Sequence, residues 1–145
     1  MKEKNAYIII GNKNTRKSSV IRCLTGCYNR GTVEIKLKND KIIDMYVLIS
    51  SLQESKISLE DYIKMANEQD CKNVLFGLRE KSMHNLPDGI DYIDGLEKAG
   101  WNIKKIATLA NTNSTIYPNA EQFENSAKEP ANATSNLVRK YFEWI

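Results

Sequence analysis

Gly11, Lys17 and Ser18 mark out the run Gly11-Asn12-Lys13-Asn14-Thr15-Arg16-Lys17-Ser18, which follows the apolar residues Ala6 to Ile10 and leads into a helical pattern. A loop in this setting can wrap an anion with backbone N–H groups. The first N–H groups of a helix have no partner inside it, and they carry the positive end of its dipole. A lysine then reaches the outer oxygens of a phosphate chain, and a serine hydroxyl can hold a magnesium ion that bridges such oxygens. The chemistry suggested is phosphate binding. Lys17 is the residue expected to carry any catalysis, and Ser18 is the expected metal ligand. Gly11, Asn12, Lys13, Asn14, Thr15, Arg16, Lys17, Ser18 and Ser19 form the cradle, with Ser19 a spare hydroxyl one position on.

The elements that must position this loop follow from hydrophobic periodicity. Ser18 to Thr25 presents Val20, Ile21, Cys23 and Leu24 on one helical face, and Gly26 supplies a left-handed stop. Thr32 to Lys38 alternates at period two, Asn39-Asp40 signals a turn, and Lys41 to Ser50 continues as a mostly apolar run, which predicts a hairpin. Ser58 opens a helix with an acidic first turn, Asn73 to Leu78 reads as a buried strand, and a second helix runs from Asp88 to Gly100. Lys104 to Ala110 is the next strand. Residues 111–131, with Pro118 and Pro130, read as a long loop with a helical turn near Glu121. A final helix carries Leu137, Val138, Tyr141, Phe142 and Ile145 on one face. Trp144 falls off that stripe, either as an exposed contact or at the helix edge over the core.

Strands alternating with helices predict an α/β fold, a three-layer sandwich with a mostly parallel sheet and one antiparallel edge strand. Ligands of such sheets sit beyond the carboxyl ends of the strands, where residues 11–18 lie. Through Gly11, Lys17 and Ser18 in a strand-loop-helix setting, the chain resembles the P-loop NTPase superfamily and its pattern G-x-x-x-x-G-K-[ST]. The resemblance implies binding of a nucleotide with magnesium, ATP before GTP, and slow hydrolysis or phosphate transfer. The chain departs from the pattern at Arg16, where a glycine would admit unusual dihedrals and close backbone approach. Arg16 either narrows the cradle or adds a guanidinium to the phosphate.

The superfamily also places an acid at the end of an apolar strand, the Walker B position. Here Tyr46-Val47-Leu48-Ile49 ends in Ser50-Ser51. Asp44 comes too early and Glu54 several residues late, Glu80 is a weak candidate, and Arg79 is a candidate phosphate contact. Small GTPases, one branch of the superfamily, share the hairpin. Yet Ser50-Ser51-Leu52-Gln53-Glu54 lacks the aspartate and glycine that accompany their water-orienting glutamine, and Asn111-Thr112-Asn113-Ser114 lacks the aspartate that reads guanine.

Composition bounds the rest. At 145 residues and 41% apolar content, one domain spanning residues 1–145 is expected, and the formal net charge of +3 gives little reason to expect a nucleic-acid or membrane partner. The N-terminal apolar run follows Lys2, Glu3 and Lys4 and is too short to span a membrane, so a cytoplasmic location is the default. Three cysteines, Cys23, Cys27 and Cys71, cannot close a disulfide framework and read as small buried apolar side chains. His84 is the lone histidine, so a zinc site lacks ligands. Three functions are carried forward. One is a magnesium-dependent NTPase or phosphotransferase of low activity. Another is a degenerate P-loop domain that binds a nucleotide or phosphate compound without turnover, or serves protein interaction. The third is a nucleic-acid-associated module using Lys13, Arg16, Lys17 and Arg22. A protein partner supplying the missing acid or an arginine is compatible with the first.

Overall fold

The computed structural model describes residues 4–13, 15–27, 29–117 and 119–145, so Met1, Lys2, Glu3, Asn14, Tyr28 and Pro118 lie outside them. Among the described residues the chain forms a six-stranded sheet of order β2-β3-β4-β1-β5-β6. Its strands are β1 (Asn5–Ile10), β2 (Arg30–Lys36), β3 (Ile42–Ser51), β4 (Asn73–Leu78), β5 (Asn102–Leu109) and β6 (Glu121–Phe123). The pairs β1·β4, β1·β5, β3·β4 and β5·β6 are parallel, and β2 is the antiparallel edge. β1 and β4 are apolar almost throughout because each has a strand on both sides and a helical layer on both faces.

Alternate side chains of the sheet feed two cores. Ile8, Ile10, Tyr46, Leu48, Val74 and Phe76 pack with Tyr62 and Ala66 of α2 (Leu59–Asn67) and with Tyr92, Ile93 and Leu96 of α3 (Gly89–Lys98). Tyr7, Ile9, Met45, Val47, Ile49 and Leu75 pack with Val20, Ile21 and Leu24 of α1 (Lys17–Thr25) and with Val138 and Phe142 of α4 (Ala131–Phe142). Burying each large side chain contributes about 1.5–3 kcal/mol. The expected α/β class, three layers and antiparallel edge strand are therefore present. Among the described residues no helix is long and apolar enough to cross a membrane.

Two expectations are corrected. Residues near Glu121 form a strand instead of a helical turn, pairing Glu121–Phe123 with Ala107–Leu109. Thr108 Oγ1 donates to the Glu121 carbonyl and Gln122 Nε2 to the Leu109 carbonyl, contacts that a three-residue segment does not announce by periodicity. The last helix also does not bury its whole apolar stripe: Leu137 is 49% and Ile145 61% exposed. The helix stops at Phe142, and Glu143 at φ 63° reverses the chain so that Trp144 folds back beside Leu37 in an isolated bridge. Trp144 is 2% exposed, its ring 5.2 Å from Tyr7 and 5.0 Å from Phe142, so it is core and no contact surface.

If Trp144 seals this end of the core, Trp144→Ala should destabilise the protein by about 3–5 kcal/mol, read from urea unfolding. An exposed tryptophan would cost less than about 0.5 kcal/mol.

Candidate functional site

β1, β4 and β5 run in one direction, so the segments that leave their carboxyl ends gather at one edge of the sheet. Gly11 N donates to the Leu78 carbonyl at 3.0 Å, which ties the start of the loop to the end of β4. Thr15 is buried and its hydroxyl donates to the Asn12 carbonyl at 2.8 Å, closing a compact turn. A Cβ on Gly11 would stand 2.3 Å from that hydroxyl oxygen, so the turn needs glycine there for close approach. Lys13 is exposed, and Ser18 and Ser19 are half-buried in the first turn of α1. Asn14 belongs to the same predicted cradle but is not among the described residues.

Arg16 caps α1 with φ 66° and ψ 26°, in the left-handed region, and its carbonyl accepts from Val20 N at 2.9 Å. The conformational demand that favours glycine at this position is thus real, and Arg16 meets it at a cost of about 1 kcal/mol. Its side chain is exposed.

Lys17 is 6% exposed although it carries a charge. Its stem crosses β4 over Gly77, where a Cβ would lie 3.1 Å from Lys17 Cδ. The ammonium donates to the Gly11 carbonyl at 3.1 Å and pairs with Glu54 Oε1 at 3.0 Å. Ser51 Oγ donates to the same carboxylate oxygen at 2.5 Å, and Glu54 N donates back to Ser51 Oγ at 3.1 Å. Burial pulls the pKa of Lys17 below its ordinary value even though Glu54 pulls it up, and Arg79 adds to the lowering. Burial alone would raise Glu54; Ser51, Lys17 and Arg79 together outweigh it and hold the carboxyl below its ordinary range.

Glu54 reaches Lys17 because the pairing of β3 with β4 shifts between Val47 and Ser51. Ser51 then stands opposite Gly77, and Leu52 N donates to the Gly77 carbonyl at 3.1 Å. The turn that follows brings the Glu54 carboxylate to the Lys17 ammonium. Spacing along the chain offered Glu54 only as a late candidate for a metal, and its pairing with Lys17 could not be read, since a register shift has no periodic signature.

Other candidates fall into place around this pair. Gln53 is fully buried, with its Nε2 donating to the carbonyls of Arg79 and Pro87 and its Oε1 accepting from Arg79 N, so it is a backbone brace with no amide atom left for water. Glu80 accepts from Asn12 Nδ2 and Asn113 N, both at 3.0 Å, linking the loops after β1, β4 and β5. Asn111 takes φ 64°, and its carbonyl lies 3.5 Å from Asn12 Nδ2. A cleft of about 420 Å³ lined by Asn111, Thr112, Asn113, Ser114, Gln122 and Glu124 opens at this edge. Buried polar atoms without a partner gather here too: Asn12 Oδ1, Arg79 Nε, Asp88 Oδ1, Thr112 Oγ1 and the Tyr117 hydroxyl. Burial, with Glu80 and Asp88 adding, raises the Tyr117 phenol well above its ordinary pKa.

Asp44 does not join the site. Its carbonyl accepts from Asn73 at the amino end of β4, and it lines a cleft of about 750 Å³ at the opposite edge. His84 sits on an exposed turn at φ 55°. Cys23, Cys27 and Cys71 are free, and the reading of them as buried side chains holds for none: Cys23 is exposed, and Cys27 and Cys71 are half-buried. Among the described residues no group of three or more His, Cys, Asp or Glu side chains could hold a metal ion. Comparison with known proteins returns no matching family model, no matching curated protein and no matching solved structure.

Arg16→Gly should relieve the left-handed cost and raise stability by about 1 kcal/mol, or roughly 2–4 °C in Tm for a chain of this size. A second expectation concerns acid. Glu54 titrates below its ordinary value of 4.5 in the folded state, so the unfolded chain takes up the proton first as pH falls. The stability from its contacts is complete above that value and is lost as pH drops through the folded pKa. Over a third of the Glu54 side chain is open to solvent, so the effect is at most about 1 kcal/mol. Urea unfolding should show wild type ahead of Glu54→Gln at pH 7, with the gap closing as the pH falls below 4.5 and through the folded pKa.

Proposed function

We propose that this chain is a P-loop-like protein that binds a nucleoside triphosphate with magnesium, ATP before GTP, through residues 11–19. The observation that carries the reading is Lys17: a buried ammonium in the first turn of a helix, held by oxygen partners at the carboxyl edge of a parallel sheet. A phosphate oxygen can replace the carboxylate at that ammonium while the backbone N–H groups of the loop and of α1 hold the remaining oxygens. Ser18 would hold the magnesium. The base would face the cleft at Asn111 to Ser114, where Asn113 Oδ1 is already used by Thr115.

Binding without turnover is the second reading, and the end of β3 favours it. Ser50 and Ser51 stand where a metal-positioning acid would be, and Gln53 is spent on the backbone. Lys13, Arg16 and Arg22 are exposed beside the loop, which keeps a nucleic-acid backbone as a third and weaker ligand class.

Calorimetry with ATP and GTP, with and without magnesium, on wild type and Lys17→Ala tests the proposal, with phosphate release followed in the same samples. Micromolar ATP binding that falls at least about tenfold in Lys17→Ala is expected, the weight of one charge-assisted contact. Phosphate release abolished by the same substitution would mark an enzyme, and binding without release a binder. Unchanged binding in Lys17→Ala would remove the reading.

A further inference from the structure

The Lys17–Glu54 pair is lopsided in a way that bears on the ligand. Lys17 is 6% exposed and pinned over Gly77, whereas the Glu54 side chain is 37% exposed on a turn that closes with Lys56 at φ 58°. Glu54 can rotate into water with little loss of packing, but Lys17 cannot follow it. Arg79 stands beside them. Its backbone N–H and carbonyl are both tied to Gln53, the residue before Glu54, and its Nε is buried without a partner. Its charge acts on both Lys17 and Glu54. Lys17 and Arg79 together present two cations to one carboxylate of Glu54, and a terminal phosphate, with more charge and more oxygens, satisfies two cations better than one carboxylate does.

We infer that, in the ligand-free protein, the Glu54 carboxylate occupies the position on Lys17 that an outer phosphate takes, that Arg79 is the second cation of that position, and that the ligand binds by expelling Glu54. This rests on the phosphate-binding reading of the loop and adds to it a built-in competitor and a further ligand contact. Ser51 is the retaining element, because its hydroxyl holds the carboxylate in place. Arg79 follows directly on β4 and so projects from the same edge as the loop that carries Lys17.

The test uses tripolyphosphate, which has no base, together with ATP. Binding to each is measured by calorimetry for wild type, Glu54→Gln, Ser51→Ala and Arg79→Gln, with folding checked by circular dichroism. Glu54→Gln should bind tripolyphosphate at least about tenfold more tightly than wild type, because the competing charge-assisted contact is gone. Ser51→Ala, a smaller change, should show a lesser gain in the same direction. Arg79→Gln should weaken binding by about tenfold in the wild-type and Glu54→Gln backgrounds alike. Equal or weaker binding in both Glu54→Gln and Ser51→Ala would overturn the competitor role, and undiminished binding in Arg79→Gln would overturn the second cation. ATP binding to wild type without a gain in Glu54→Gln removes this inference and leaves the nucleotide reading standing. Tripolyphosphate binding to Glu54→Gln with no ATP binding to any variant does the reverse. Binding of neither ligand to Glu54→Gln overturns both.

Discussion

A buried ammonium must find oxygen, and the architecture around Lys17 follows from that requirement. A charge taken out of water costs several kcal/mol unless it is paired and hydrogen-bonded, and Lys17 has a carbonyl from its own loop and a carboxylate from the turn after β3. Reaching the second partner takes the side chain across β4, which is open at that point because residue 77 is glycine. The register shift of β3 supplies the rest by swinging Ser51 and Glu54 toward the same point. Removing any of these parts leaves a charge in the protein interior with too few partners.

Two braces hold the surrounding loops. The Gln53 amide makes three backbone hydrogen bonds that lock the turn after β3 to the end of β4 and to Pro87. The Glu80 carboxylate joins Asn12 to Asn113 and so ties the loop after β1 to the one after β5. Both are polar groups spent on geometry. They leave the candidate cradle preorganised, which would lower the ordering cost of binding the proposed anion there. Unpartnered buried atoms at the same edge, Asn12 Oδ1 and Arg79 Nε among them, mark where that bracing stops.

The left-handed backbone of Arg16 is consistent with this picture. Strain of this kind persists where surrounding structure over-determines it, and here the tight turn closed by Thr15 and the start of α1 fix the residue from both sides. Arg16 therefore holds a left-handed conformation that a glycine would take at less cost, and its side chain stays exposed.

Local pattern alone determined much of the fold. Asn73–Leu78, the hairpin about Asn39-Asp40 and the stop at Gly26 could be read directly, because apolar runs, period-two alternation and left-handed glycines are properties of neighbouring residues. The candidate loop was legible for the same reason, with Gly11, Lys17 and Ser18 at fixed spacing between a strand and a helix. Tertiary structure alone decided the partners of that loop. Glu54 was legible only as a late candidate for a metal and not as the partner of Lys17, and the bracing role of Gln53 was not legible at all, since a register shift and a buried amide are made by contacts between distant segments. β6 and the inward turn of Trp144 escaped for the same cause: a three-residue strand has no period, and the reversal at Glu143 is a left-handed residue without a glycine to announce it. Periodicity records which face of an element is buried, whereas the meeting of Lys17 with Glu54 depends on how separate elements align, which no local pattern encodes.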